Sequence, residues 1–115
     1  MNVYKTLEKF SNTDFFAQIS ISLSEMLDNL GKYQEAMEHL IDAKEILIES
    51  YGNEDKRTCK VKRNIALMGL KLGQYEKALE ELREVEEMEI RLYGDRSVNL
   101  ARTYKVIGTL FIAMN

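Results

Sequence analysis

The chain has 115 residues, 45% hydrophobic and 30% charged, which is the size and composition of one globular domain and excludes a disordered or membrane-embedded chain. A net charge of -3 argues against a surface devoted to neutralising nucleic-acid phosphates. One cysteine allows no intramolecular disulfide, no apolar run reaches bilayer length, and the opening "MNVYKTLEKFSN" lacks the apolar core of a secretory signal, so the chain reads as soluble and cytoplasmic.

Residues 1–12 read as an N-terminal segment. A first helix is expected near 13–30, where Ala17, Leu23, Met26, Leu27 and Leu30 recur at helical spacing and Asn-Thr-Asp-Phe offers caps. A second, near 34–50, carries Ala36, Met37, Leu40, Ala43 and Leu47. The third runs from Asp55 to Leu72, with Asp55 placed to cap its start, Gly73 to end it, and Cys59, Val61, Ile65, Ala66, Met68 and Leu70 along its stripe. The fourth, Gln74 to Leu92, has Tyr75, Ala78, Leu79, Leu82, Val85 and Met88 and closes at Gly94. The fifth, near 97–114, starts at Ser97 and carries Ala101, Tyr104, Ile107, Gly108, Leu110 and Phe111. The absence of proline and the abundance of Glu, Lys, Leu, Ala and Met favour helix throughout, because these side chains lose little rotamer freedom on a helical backbone.

The helices repeat. "LGKYQEAMEHL" begins at Leu30 and "LGQYEKALEEL" at Leu72, and the pairs Tyr51-Gly52 and Tyr93-Gly94 share the same spacing of 42. Units therefore span 13–52 and 55–94, with 97–115 as the A helix of an incomplete third. Small residues mark close helix approaches: Ala36 and Ala78 on the B helices, and Ser24, Ala66 and Gly108 in one register on the A helices. One hairpin cannot bury both its faces, whereas stacked hairpins can. The expected fold is all-α, a right-handed solenoid of about two and a half helix hairpins.

The Leu-Gly-x-Tyr-x-x-Ala run, present twice, and Asn64-Ile65-Ala66 resemble the tetratricopeptide repeat family, and the 42-residue period with Tyr-Gly after each B helix resembles the repeats of kinesin light chain. The likeness covers residues 13–114. It departs where that pattern has His-Pro and this chain has Asp55-Lys56 and Ser97-Val98, and where an early A-helix aromatic is replaced by Ser20 and Lys62, leaving only Tyr104. The resemblance implies a protein-binding array with A helices lining a concave wall, and by analogy a cytoskeletal or ciliary association.

Catalysis needs a nucleophile with its base, paired acids or gathered metal ligands. His39 is the only histidine and reads as a solvated helix residue; Cys59 occupies the small-residue register of Ala17 and Ala101 and reads as a buried thiol. Gly31, Gly52, Gly73 and Gly94 read as turn residues rather than a phosphate loop. No enzyme activity, cofactor or metal site is expected.

Residues 55–72 hold Lys56, Arg57, Lys60, Lys62, Arg63 and Lys71 against Asp55 alone, while 76–92 hold seven glutamates against Lys77, Arg83 and Arg91. Neighbouring helices could simply compensate one another. The functional reading is a peptide-binding groove of Lys60, Arg63, Asn64, Leu67 and Lys71, continued by Arg102 and Lys105, suited to a partner protein or peptide of acidic character. Exposed ion pairs are each worth only about 0.2–1 kcal/mol, and micromolar affinity needs about 8 kcal/mol. Apolar anchors near Leu67, Leu70 and Ile112 would supply much of the difference. Of five positions that form a carboxylate clamp in some relatives of the repeat class, Asn64 and Arg102 are compatible and Ile21, Glu25 and Val106 are not.

The third A helix ends in "TLFIAMN", with Tyr104, Ile107, Leu110 and Phe111 expected as an apolar assembly edge for further repeats or another chain. The leading expectation is a non-catalytic interaction scaffold. The alternative is a regulatory sensor coupling ligand binding in the array to an appended effector. Nucleic-acid binding is disfavoured because aromatic residues do not interleave with Lys60 and Arg63, and no membrane contact is expected.

Overall fold

The computed structural model describes the backbone from Val3 to Asn115 and the side chains from Thr13 onward. Five helices run in order: α1 (Val3–Asn29), α2 (Tyr33–Tyr51), α3 (Lys56–Lys71), α4 (Tyr75–Tyr93) and α5 (Val98–Met114). The described residues contain no strand. Asp55 accepts from the Arg57 amide at 2.9 Å and the Ser97 hydroxyl from the Leu100 amide at 3.0 Å, so the expected caps of α3 and α5 are formed. The start of α1 differs from expectation. Its helix extends back to Val3, so Asn12, Thr13 and Asp14 lie inside it and residues 3–12 are continuous with the array.

Four glycines with positive φ, Gly31, Gly52, Gly73 and Gly94, recur every 21 residues, one after each of α1 to α4. At Gly73, φ is +81°, which brings the Gln74 amide onto the Gly69 carbonyl at 2.8 Å and the Gly73 amide onto the Leu70 carbonyl at 3.1 Å. Those bonds satisfy two carbonyls that the end of α3 leaves open, and a side chain with a Cβ would be strained there.

Consecutive helices pack antiparallel and the hairpins stack, with α2 lying between α1 and α3, and α4 between α3 and α5. The radius of gyration, 15.0 Å, exceeds the about 13 Å of a compact domain of this length, as expected of an open stack. Ala36, Ala66, Ala78 and Ser24 are all buried at the crossings. Gly69, which the repeat pattern does not single out, also lies at one: a Cβ there would stand 3.6 Å from Ala78 Cβ and 3.7 Å from Met37 Cε. Gly108 shares the register of Ser24 and Ala66, but nothing among the described residues lies within 4 Å of a Cβ built on it.

The two stacking junctions are built from the same positions with different chemistry. At the first, Ile21 of α1 packs against a core that includes Leu47 of α2 and Val61 of α3. Adding 42 to each number gives Arg63, Glu89 and Thr103, and these meet at the second junction, all at most 5% exposed. Arg63 Nη1 donates to Glu89 Oε2 at 3.0 Å, to the Asn99 carbonyl at 3.1 Å and to Thr103 Oγ1 at 3.4 Å, while Thr103 donates to Glu89 Oε1.

A buried pair of this kind punishes removal of one partner far more than replacement of the whole set. Glu89→Ala is therefore expected to lower the stability read from urea unfolding by about 3–5 kcal/mol. The triple variant Arg63→Ile, Glu89→Leu, Thr103→Val, which copies the first junction, should return to within about 1 kcal/mol of the parent or exceed it. A loss below about 1 kcal/mol for Glu89→Ala would mean that the buried pair does not form.

Candidate interaction groove

The face of α3 formed by Arg57, Lys60, Asn64, Leu67 and Lys71 follows alternating steps of three and four residues, which keeps one stripe of a helix pointed in one direction. Opposite it, α1 presents Asp14, Gln18, Ile21, Glu25 and Asp28 at the same steps. A cleft of about 280 Å³ lies between the two, lined by Gln18, Ile21, Leu47, Arg57 and Lys60 among others. A second, of about 120 Å³, follows along the same seam and is lined by Glu25, Asp28, Asn64 and Leu67.

The groove is closed at one end by Lys71, whose Nζ sits 2.5 Å from Asp28 Oδ1 and 5.3 Å from the centroid of the Tyr33 ring. At the other end the Tyr51 hydroxyl donates to Asp14 at 2.5 Å, and the Arg57 guanidinium stacks 4.0 Å above the same ring. The Asp14 carboxylate holding its proton raises the Tyr51 pKa above the usual phenol value.

Lys60, Asn64, Leu67 and Lys71 lie along one face of α3. Arg63 is not among them. It points between α3, α4 and α5 into the buried network with Glu89, so it cannot reach a groove ligand. Its charge gave no sign of this, since the repeat pattern specifies positions and not their chemistry. Arg102 is exposed on α5 in the register of Lys60, and Lys105 is exposed in the register of Arg63. Neither has an ion-pair partner among the described residues. On the α1 side of the groove, Ile21 and Glu25 stand at the clamp positions that the sequence marks as incompatible with a bound carboxylate, while Asp14 and Gln18 were not anticipated there.

The expected assembly edge divides in two. Ile107 and Leu110 are buried with Ala66, Ala78 and Leu82, because that side of α5 packs back on the second repeat. Tyr104 and Phe111 are exposed, as is the neighbouring Ile112 at 79%. A hydrogen bond to Glu86 of α4 raises the Tyr104 pKa and holds its hydroxyl toward the preceding hairpin.

His39 is half-buried on α2. Among the described residues no three His, Cys, Asp or Glu side chains converge as metal ligands, and no helix is long and apolar enough to cross a membrane.

Antiparallel hairpins of helices, stacked in a 42-residue register with a small residue at each crossing, make this a tetratricopeptide-like helical repeat fold. No family model and no curated protein matches the sequence. Among solved structures the chain is similar to the crystal structure of BtubC (BKLC) from P. vanneervenii, with a TM-score of 0.80 and 26% sequence identity over 89% of this chain. It spans 40% of the length of that structure.

Cys59 of α3 is 1% exposed, and burial followed by the charge of Glu89 on α4 raises its thiol pKa above the usual value. In the native chain its alkylation at mildly alkaline pH should be at least about a hundredfold slower than in the urea-unfolded chain, as followed by mass spectrometry. Equal rates would show that the thiol is not buried in the native chain.

Proposed function

We propose that this chain is a non-catalytic protein-interaction scaffold, a kinesin-light-chain-like array that holds an extended peptide or helix of acidic character along the inner faces of its A helices. The observation that carries the proposal is the pair of aligned clefts between α1 and α3, with Lys60, Asn64 and Leu67 facing an open channel. The 42-residue period and the likeness to BtubC, a kinesin light chain-like protein, support the class of array.

The charges favour one end. Lys71 is matched by Asp28 and Arg57 by Asp55, whereas Lys60, Arg102 and Lys105 keep their charge for a ligand. Leu67 supplies an apolar contact inside the groove. On this reading, carboxylates of the partner lie over α3 and α5, and an apolar side chain of the partner enters the cleft beside Leu67. The exposed Tyr104, Phe111 and Ile112 form the edge on which further repeats or a partner chain stack.

The triple variant Lys60→Glu, Arg102→Glu, Lys105→Glu changes only exposed side chains, so its thermal midpoint should match the parent. Affinity capture of partners, compared quantitatively between the two proteins, is expected to fall at least about tenfold in the variant and to weaken with salt in the parent. An identical set of partners captured in identical amounts would refute the groove.

A further inference from the structure

Along α1 the residues Phe16, Ile19, Leu23, Met26 and Leu30 form one stripe, and each is between 37% and 68% exposed. Their steps of three, four, three and four keep them on a single helix face. Adding 42 gives Thr58, Val61, Ile65, Met68 and Leu72 on α3, where Val61, Ile65 and Met68 are buried in the core shared with α2. Adding 42 again gives Leu100, Thr103, Ile107, Leu110 and Met114 on α5, the first four buried where α5 follows α4 and Met114 40% exposed at the helix end. In both repeats that have a preceding B helix, this stripe is the surface pressed against it. The stripe of α1 is the same interface without its other half.

The missing half does not enter through the usual connection. Before α3 and α5 the chain turns at Tyr51-Gly52 and Tyr93-Gly94, with φ +89° and +87° at the glycines. The matching positions before α1 are Lys9 and Phe10, neither of which favours such a turn, and the backbone continues as helix through them to Val3. A second copy has no free B helix to offer, since α2 and α4 each lie between two A helices.

We propose that this face docks an amphipathic helix of another protein, with an uncharged apolar seam like the one α2 presents to α3. Charge supports the choice: Ser20, Ser22 and Asn29, which flank the stripe, carry none. Every position of the stripe is apolar, including Ile19, which stands where the second junction has Thr103 beside Glu89. An incoming helix with a carboxylate at the Glu89 position would leave it buried without a partner.

The probe is a labelled peptide of residues 33–51, the α2 sequence, titrated against the full chain by fluorescence anisotropy. It should bind, and the peptide of residues 75–93, which has Glu89 in place of Leu47, should bind at least about tenfold more weakly. Met26→Glu with Leu30→Glu, both at exposed positions, should weaken the first peptide at least about tenfold while leaving the thermal midpoint unchanged. Binding should change less than about twofold between low and high salt, which separates this site from the groove at Lys60, Arg102 and Lys105. No binding, equal binding of the two peptides, or binding unaffected by the double variant would overturn the proposal. So would a chain that sediments as a dimer dissolved by the same variant, since the face would then belong to a second copy.

Discussion

Each of α2, α3 and α4 hides one face against its hairpin partner and another against the neighbouring hairpin, and a single buried seam between adjacent hairpins sets everything else. The seam fixes where small residues must lie, because Ala36, Ala66 and Ala78 are positions where a larger side chain would push two helix axes apart. It fixes the turns, because helices held at that distance leave room for only three or four residues between them, and each turn carries one glycine with positive φ. It also fixes the groove. When α2 lies between α1 and α3 it spreads them, and the inner faces of the two A helices become the walls of a channel.

A repeat written in nearly the same letters twice invites a slip by one unit, with α5 docking where α3 belongs. The buried network at the second junction opposes that slip. Arg63, Glu89 and Thr103 satisfy one another only in the native order; a shifted pairing would set Glu89 or Arg63 against Ile21, Leu47 or Val61 and leave a charge buried without its partner. The same pair adds little net stability over an apolar substitute, so its physical consequence is selective: it disfavours wrong neighbours more than it strengthens the right ones.

Five helices, their order and most of their ends were legible from periodicity and from Gly31, Gly52, Gly73 and Gly94, because backbone requirements repeat with the register and leave visible letters. Side-chain chemistry within the register was less legible. Arg63 looks like one more solvated cation of α3, and only the three-helix junction reveals that it is buried; the residues that bury it, Glu89 and Thr103, are 26 and 40 positions away in sequence. Ile107 and Leu110 were expected on an open edge for a related reason. The pattern identifies apolar positions without saying which of two neighbours covers them, and α5 keeps its contact with the hairpin before it. The extension of α1 to Val3 escaped because Asn12, Thr13 and Asp14 are good cap residues, and a cap is chosen over a continuing helix only when the chain must turn.

The charge of the inner wall is graded along the array. On α1 the wall carries Asp14, Glu25 and Asp28; on α3 it carries Arg57, Lys60 and Lys71; on α5 it carries Arg102 beside Lys105. Opposite charges that face each other across the first cleft partly cancel, as Lys71 and Asp28 do at 2.5 Å. At the α5 end no carboxylate of the wall answers Arg102. On the function proposed above, an acidic partner would be repelled at one end, neutral in the middle and attracted at the other, which would give a groove of near-symmetric helices a direction. On that proposal apolar contact at Leu67 would hold a peptide in either polarity, and the gradient would decide between them.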